Sequence, residues 1–193
     1  MKTIRYLFIL FCCTVLLAGC THAPEVSPAI SEEIIEEMNF ARTQPKQYVT
    51  QRLSPLYNEN HTDSYLTALD EVVDQMNRMK ALPELQSAQG LYKCAKDWVD
   101  SSGPAGTIGH DPDIATRFKK YCSYTALGEN CSYGYSTAKD IVIALLVDDG
   151  VESRGHRQNI LSKSFTHAGA AVGTHKKYKT MCCIDFAYGY KEK

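Results

Sequence analysis

Four segments of this 193-residue chain set imidazole, carboxylate and amide side chains beside glycine in otherwise apolar surroundings. They are Gly109-His110, Gly128-Glu129-Asn130, Asp148-Asp149-Gly150-Val151-Glu152, and Ser153-Arg154-Gly155-His156-Arg157-Gln158-Asn159-Ile160-Leu161. Neutral imidazoles suit a divalent metal such as zinc, and a nearby carboxylate can orient a ligand histidine or a bound water. The same groups without a metal can form a hydrogen-bond network that fixes the loops. Both His110 and His156 directly follow glycine, which lets the backbone turn tightly and present the ring.

Several other chemistries find no support. Ser153 lacks the strand–turn–helix elbow of a Gly-x-Ser-x-Gly hydrolase. There is no His-Glu-x-x-His, no CxxC, and no Cys–His pairing legible from spacing. His22, His61, His167 and His175 read as tether, loop or packing residues. Lys119-Lys120 and Lys176-Lys177 are short solvated pairs, and a formal net charge of −1 argues against nucleic acid as a partner. Twelve tyrosines could serve a core or a groove.

The first residues carry an export signal. Lys2 and Arg5 precede an apolar run from Tyr6 to Ala18, too short to span a bilayer and suited to a signal h-region. The run ends in Leu17-Ala18-Gly19-Cys20, which resembles the lipobox of bacterial lipoproteins, whose cysteine is acylated and becomes the first mature residue. Residues 1–19 are therefore read as a lipoprotein signal peptide and 20–30 as a lipidated Cys20 with a tether. Thr21 after that cysteine favours an outer-membrane location, facing the periplasm or the exterior. Loss of Lys2 and Arg5 takes the formal charge from −1 to −3.

An exported chain lives where disulfides form. Beyond Cys20 the mature cysteines are Cys94, Cys122, Cys131, Cys182 and Cys183, enough for at most two bridges and one leftover thiol. Cys122 and Cys131 bracket a short loop and are the expected pair. Cys182 and Cys183 adjoin in an expected strand, so their side chains should point to opposite faces.

The elements that must position the polar segments are helices first and strands last, an α+β pattern. Ser31 is an expected N-cap, with Ile34, Ile35, Met38 and Ala41 as the apolar stripe that follows. Pro45 ends that helix or opens a new short turn. A helix is expected over 63–80, with Leu66, Leu69, Val73 and Met76 on one side, and another over 87–99 around Leu91, Ala95 and Trp98. Residues 103–112 should be irregular, and 121–135 show little period. Thr137 with Asp140 resembles a capping box before the apolar run Ile141–Val147. A short helix near 157–161 and two strands, 168–174 and 180–188, close the chain.

The polar segments, in this order, resemble the CAP superfamily of cysteine-rich secretory proteins, antigen 5 and pathogenesis-related 1 proteins, and more closely its bacterial SCP-domain members. His110, Gly128-Glu129-Asn130, Gly155 to Leu161, then Phe165, Gly169 and Asp185-Phe186 carry the likeness over about residues 31–190. It implies a three-layer α-β-α sandwich with a groove of two histidines and two acids. His110, Glu129 and His156 match three of these. The fourth falls at Asp149, with Asp148 and Glu152 as alternatives. Asn130, Arg157 and Asn159 are expected to support these loops, Arg157 by pairing with a carboxylate near Asp148 or Asp149.

Three functions stay open from the sequence. The first is a membrane-anchored module that binds a lipid, small ligand, cell-envelope component or protein. The second is a metal-assisted, peptidase-like hydrolase with Glu129, His110 and His156 as candidate catalytic groups. The third is a purely structural envelope lipoprotein. His110 and His156 are the candidate ligands for Zn²⁺ or another divalent metal.

Overall fold

The computed structural model describes residues 28–193. The expected leader, Cys20 and most of the tether lie outside them. Among the described residues no helix is long and apolar enough to cross a membrane.

The first helix, α1 (Pro28–Thr43), begins ahead of Ser31, which lies inside it rather than capping it. The expected tether is shortened accordingly. Ile34, Ile35, Met38 and Ala41 are buried as their spacing requires. Pro45 opens a second short helix, α2 (Pro45–Tyr48), where its missing N–H costs nothing. Two further helical turns, Val49–Leu53 and Ser54–Asn58, lead to α3 (Asp63–Arg78), capped by Thr62, whose hydroxyl accepts from Tyr65 N. The buried face of α3 centres on Ala68, Leu69, Val72 and Met76; Leu66 and Val73 flank it.

After a two-residue strand β1 (Gln86–Ser87), α4 runs Gln89–Ala105, past its expected end and through Pro104. Next come α5 (Ile114–Tyr121), the short β2 (Cys122–Ser123) and β3 (Ala126–Tyr133). Neither α5 nor β3 shows in the hydrophobic period. Helix α6 (Ala138–Val147) is capped as its sequence predicts: Thr137 Oγ1 accepts from Asp140 N at 3.1 Å. The chain then forms α7 (Gly155–Ile160), the hairpin β4 (His167–His175) and β5 (Lys179–Tyr188), and β6 (Lys191–Glu192).

The main sheet has the order β1-β4-β5-β3, with β4–β5 and β5–β3 antiparallel and β1 parallel to β4. Alternation along β5 divides the core. Cys182, Ile184 and Phe186 pack against α1, α3, α6 and α7, whereas Cys183 and Ala187 face the layer made by α4 and α5. The result is an α-β-α sandwich of the α+β class. Helix α4 lies very close to β4: a Cβ on Gly169 would collide with the Leu91–Tyr92 backbone, and one on Gly173 with Val99.

The adjacent Cys182 and Cys183 do point to opposite layers. The expected Cys122–Cys131 bridge is overturned. All five cysteines of the described residues are free thiols, and strand placement separates the two. Cys122 sits with Cys94 under α5, while Cys131 faces Cys183 across the β3–β5 ladder.

Candidate functional site

Glu129 stands on β3 with its side chain toward the α4–α5 layer, only 2% exposed. Its neighbour Gly128 leaves room that a Cβ would fill, against the Phe165 ring and Asn159 Oδ1. Glu129 Oε1 accepts from His110 Nδ1–H at 2.8 Å, and Oε2 accepts from Arg117 Nη2. Cys183 Sγ also donates to Oε2, at 3.4 Å. Directly across the ladder is Asp185, fully buried and 3.4 Å from the same guanidinium. Arg117 Nε lies 3.3 Å from Asp111 as well. One arginine from α5 therefore bridges two buried acidic side chains. Burial works against the Glu129 carboxylate, but His110 and Arg117 outweigh it and hold its pKa below the ordinary range. Asp185 has less compensation, and burial pushes its carboxyl well up.

His110 sits in the turn after α4. Gly109 before it has φ +98, a conformation that glycine alone adopts without strain. The ring is about half exposed, with Cys131 Sγ 3.9 Å from Nδ1. Cys131 and Glu129 together push the imidazole up to about 10. The Cys131 thiol is drawn down to about 6, by its contact with Cys183 first and by His110 next, against burial. Both shifts favour the charged pair here, an imidazolium between a carboxylate and a thiolate.

The second histidine is held differently. Helix α6 ends on Asp148 in the left-handed conformation, φ 57. That turn aims a buried carboxylate at the start of α7. Asp148 Oδ1 accepts from His156 Nδ1–H at 2.7 Å, and Oδ2 from His156 N at 2.9 Å and Arg157 N at 3.3 Å. Asp148, and not Asp149, thus takes the place beside the histidine. Asp149 turns away and accepts from Ser64 Oγ, and Glu152 is exposed. Gly155 does not carry the tight turn expected of it; Arg154 does, with φ 52.

The supporting residues lock the loops together. Asn130 Nδ2 donates to His156 O, and Asn159 Nδ2 donates to Asn130 Oδ1 and Glu129 O. The Arg157 guanidinium is buried but does not pair with Asp148 or Asp149. It donates to Leu146 O and Val147 O at the end of α6 and to Ala68 O on α3, and its carboxylate partner is Glu71, 3.3 Å away. The guanidinium fork suits orphan helix-end carbonyls better than a carboxylate already used by His156.

These contacts bring the two imidazoles together, with ring centroids 6.1 Å apart and planes tilted by 41°. Each Nδ1 is committed to a carboxylate. Among the described residues neither Nε2 makes a hydrogen bond. Beside them opens a groove of about 390 Å³ whose wall includes Cys131, Tyr133, Tyr135, Asp148, His156 and Tyr178. Tyr65, Tyr135 and Ala144 also line a neighbouring trough of about 600 Å³. Several of the tyrosines are therefore groove residues, although Tyr48 is core. His175 keeps a packing role: its Nε2–H donates to Thr107 O and its Nδ1 accepts from Lys177 N and Tyr178 N.

Arg117, Cys131, Cys183 and Asp185 were not legible as site residues. Their role depends on strand register and on a helix with no clear period, although the Asp185-Phe186 segment belongs to the pattern noted above.

The family model described as "CAP: Cysteine-rich secretory protein family" matches residues 35–186. The "Uncharacterized protein YkwD" of Bacillus subtilis (strain 168) is 30% identical over 115 residues, 55% of this chain and 41% of that protein, so the chain spans less than half of that relative's length. An outer surface protein from Borrelia burgdorferi is similar with a TM-score of 0.48 and 19% identity, covering 67% of this chain and 96% of that one. The CAP domain of enterococcal PrgA gives a TM-score of 0.44 and 20% identity, covering 65% and 59%.

Proposed function

Because the chain belongs to the CAP family of cysteine-rich secretory proteins, we propose that it is a binding module of the cell envelope, anchored through a lipidated Cys20, whose groove takes a divalent metal between His110 and His156. One observation carries the metal reading. Each imidazole donates its Nδ1–H to a carboxylate that is nearly or fully buried, Glu129 or Asp148, so the lone pair of the neutral ring lies on the free Nε2. A carboxylate behind each ligand histidine fixes the tautomer and raises its basicity. The donor set fits zinc, with His110 and His156 as the protein ligands and coordination positions left for water or a groove ligand. Bound there, zinc would supply a Lewis-acidic centre beside the tyrosine-lined groove.

A binding role suits the geometry better than hydrolysis. A general base must reach the proton it takes. Glu129 is 2% exposed and both of its oxygens are engaged, by His110, Arg117 and Cys183. Its carboxylate is built to position, not to receive a proton from water. The tyrosines rising from the same wall offer flat apolar surface with polar tips, a face for a small amphipathic or envelope ligand.

Calorimetric titration of the detergent-solubilised chain with zinc tests this. One ion per chain is expected at neutral pH, with most of the heat lost in His110→Ala and in His156→Ala while circular dichroism is unchanged. Binding that survives in both variants would place the ion elsewhere.

A further inference from the structure

Cys131 and Cys183 are direct partners in the β3–β5 ladder. In the same register Gly134 N donates to Thr180 O, which makes 134 and 180 a hydrogen-bonded pair. Hydrogen-bonded and non-hydrogen-bonded pairs alternate along an antiparallel ladder. Three steps in, Cys131 and Cys183 therefore occupy a non-hydrogen-bonded pair, where Cα atoms lie about 4.5 Å apart and side chains on one face approach most closely. A disulfide accepts Cα separations from about 4.4 Å. The ladder thus holds two thiols within the separation that a bridge accepts.

The two sulfurs differ in access. Cys131 is 7% exposed and forms part of the groove wall, whereas Cys183 is completely buried behind it. We propose that this pair is a redox-active dithiol: Cys131 exchanges with a small-molecule disulfide entering the groove, and Cys183 resolves the product. The Cys131 thiolate attacks one sulfur of the oxidant, forming a mixed disulfide and releasing one thiolate that takes up a proton from the solvent. Cys183 then attacks the Cys131 sulfur, closes the cross-strand bridge and releases the second thiol with its own proton. Two protein thiols are oxidised to one disulfide, and one oxidant disulfide is reduced to two thiols.

The reaction reaches the histidine site directly. As a thiol, Cys183 donates to Glu129 Oε2, and Cys131 lies 3.9 Å from His110 Nδ1. One ligand atom each from His110, Glu129 and Cys131 lie within 4.8 Å of one another. Closing the bridge removes the Cys183 donor and takes Cys131 out of that trio. Oxidation should therefore alter zinc binding, a consequence that rests on the metal reading above; the exchange itself does not.

The test uses the full chain in detergent, reduced and then placed in glutathione disulfide, with acid quench, thiol alkylation and peptide mapping. A Cys131–Cys183 linked peptide should appear, and reduced glutathione should reverse it. Cys183→Ser, and Cys183→Ala as a second variant that keeps an apolar side chain, should stop at one glutathione adduct on Cys131. Cys182→Ser should behave as the parent. The proposal is overturned if the parent links other cysteines or none, or if the trapped adduct sits anywhere but Cys131. The parent mapping decides even if both Cys183 variants fail to fold. Zinc affinity should differ about tenfold between the reduced and oxidised forms. Equal affinity in both forms overturns the coupling; no zinc in either form overturns the metal reading and leaves the exchange to be judged by the mapping.

Discussion

Asp148 holds His156 twice, with Oδ1 2.7 Å from the ring Nδ1 and Oδ2 2.9 Å from the backbone nitrogen of the same residue. One carboxylate thereby caps the start of α7 and orients the imidazole that α7 carries. The left-handed φ of 57 at Asp148 makes this possible, because it turns the side chain from the end of α6 toward the next helix.

Asp148→Asn tests that double role. Asparagine tolerates the left-handed conformation, so the change isolates the carboxylate. It should cost about 2–3 kcal/mol in urea unfolding, through lost charge-assisted bonds to a buried site, and should lower zinc affinity about 10–100-fold. Asp149→Asn, at an exposed residue bonded to Ser64, should stay within about 0.5 kcal/mol. Equal effects at the two positions would contradict the assignment.

Arg117 lies between Glu129, Asp185 and Asp111. Arg117→Met leaves buried carboxylates without their cation and should cost about 3–5 kcal/mol at pH 7. The pH dependence has a definite sign. The folded pKa of Glu129 lies below its unfolded value, so its stabilisation is complete above the ordinary carboxylate pKa and disappears as pH falls through the lowered value. The methionine variant lacks much of that term, so its deficit should shrink in acid. Parallel parent and variant curves from pH 7 down to acid unfolding would refute this.

What the sequence disclosed follows the range over which each feature is determined. The Thr137–Asp140 cap and the α1 stripe of Ile34, Ile35, Met38 and Ala41 depend on neighbours one turn away, and both were legible. Strand β3 was not, because both of its faces are covered and both carry polar groups: Glu129 looks to one layer, and Asn130 and Ser132 to the other. No apolar alternation survives such burial. Helix α5 has only eight residues, and its most important side chain is a buried arginine. The histidines and Glu129 could be named from their motifs, but the choice between adjacent Asp148 and Asp149 required the backbone turn. The cysteine pairing failed for a related reason. Closeness in sequence favoured Cys122 with Cys131, whereas strand register sets Cys131 against Cys183.

Membrane attachment is a separate prediction, motivated by Leu17-Ala18-Gly19-Cys20 after the apolar run. Acyl chains contribute about 0.8 kcal/mol per buried CH₂, and two or more make a stable anchor. Cys20→Ala should abolish metabolic acyl labelling and move the protein out of the membrane fraction. Undiminished membrane association of that variant would sink the lipidation reading.

Metal and proton compete for His110, and the competition should be visible in the pH dependence of zinc binding. Cys131 and Glu129 push the His110 imidazole up to about 10, so at pH 7.5 the folded protein carries a proton there. Zinc binds the neutral ring, and a bound ion must therefore expel that proton. An unperturbed histidine, with a pKa near about 6.5, would already be neutral at pH 7.5 and would release little. The sign follows: apparent affinity should keep rising from pH 6 toward pH 9 instead of levelling above pH 7. Titrations at pH 7.5 in buffers of different ionisation enthalpy should report close to one proton released per zinc. Cys131→Ser removes the largest contribution to the shift, so its proton release at pH 7.5 should be smaller and its affinity should level off at lower pH. A parent affinity that is flat above pH 7 with no proton released would show that His110 is not an imidazolium in the free site, or that zinc does not bind through it.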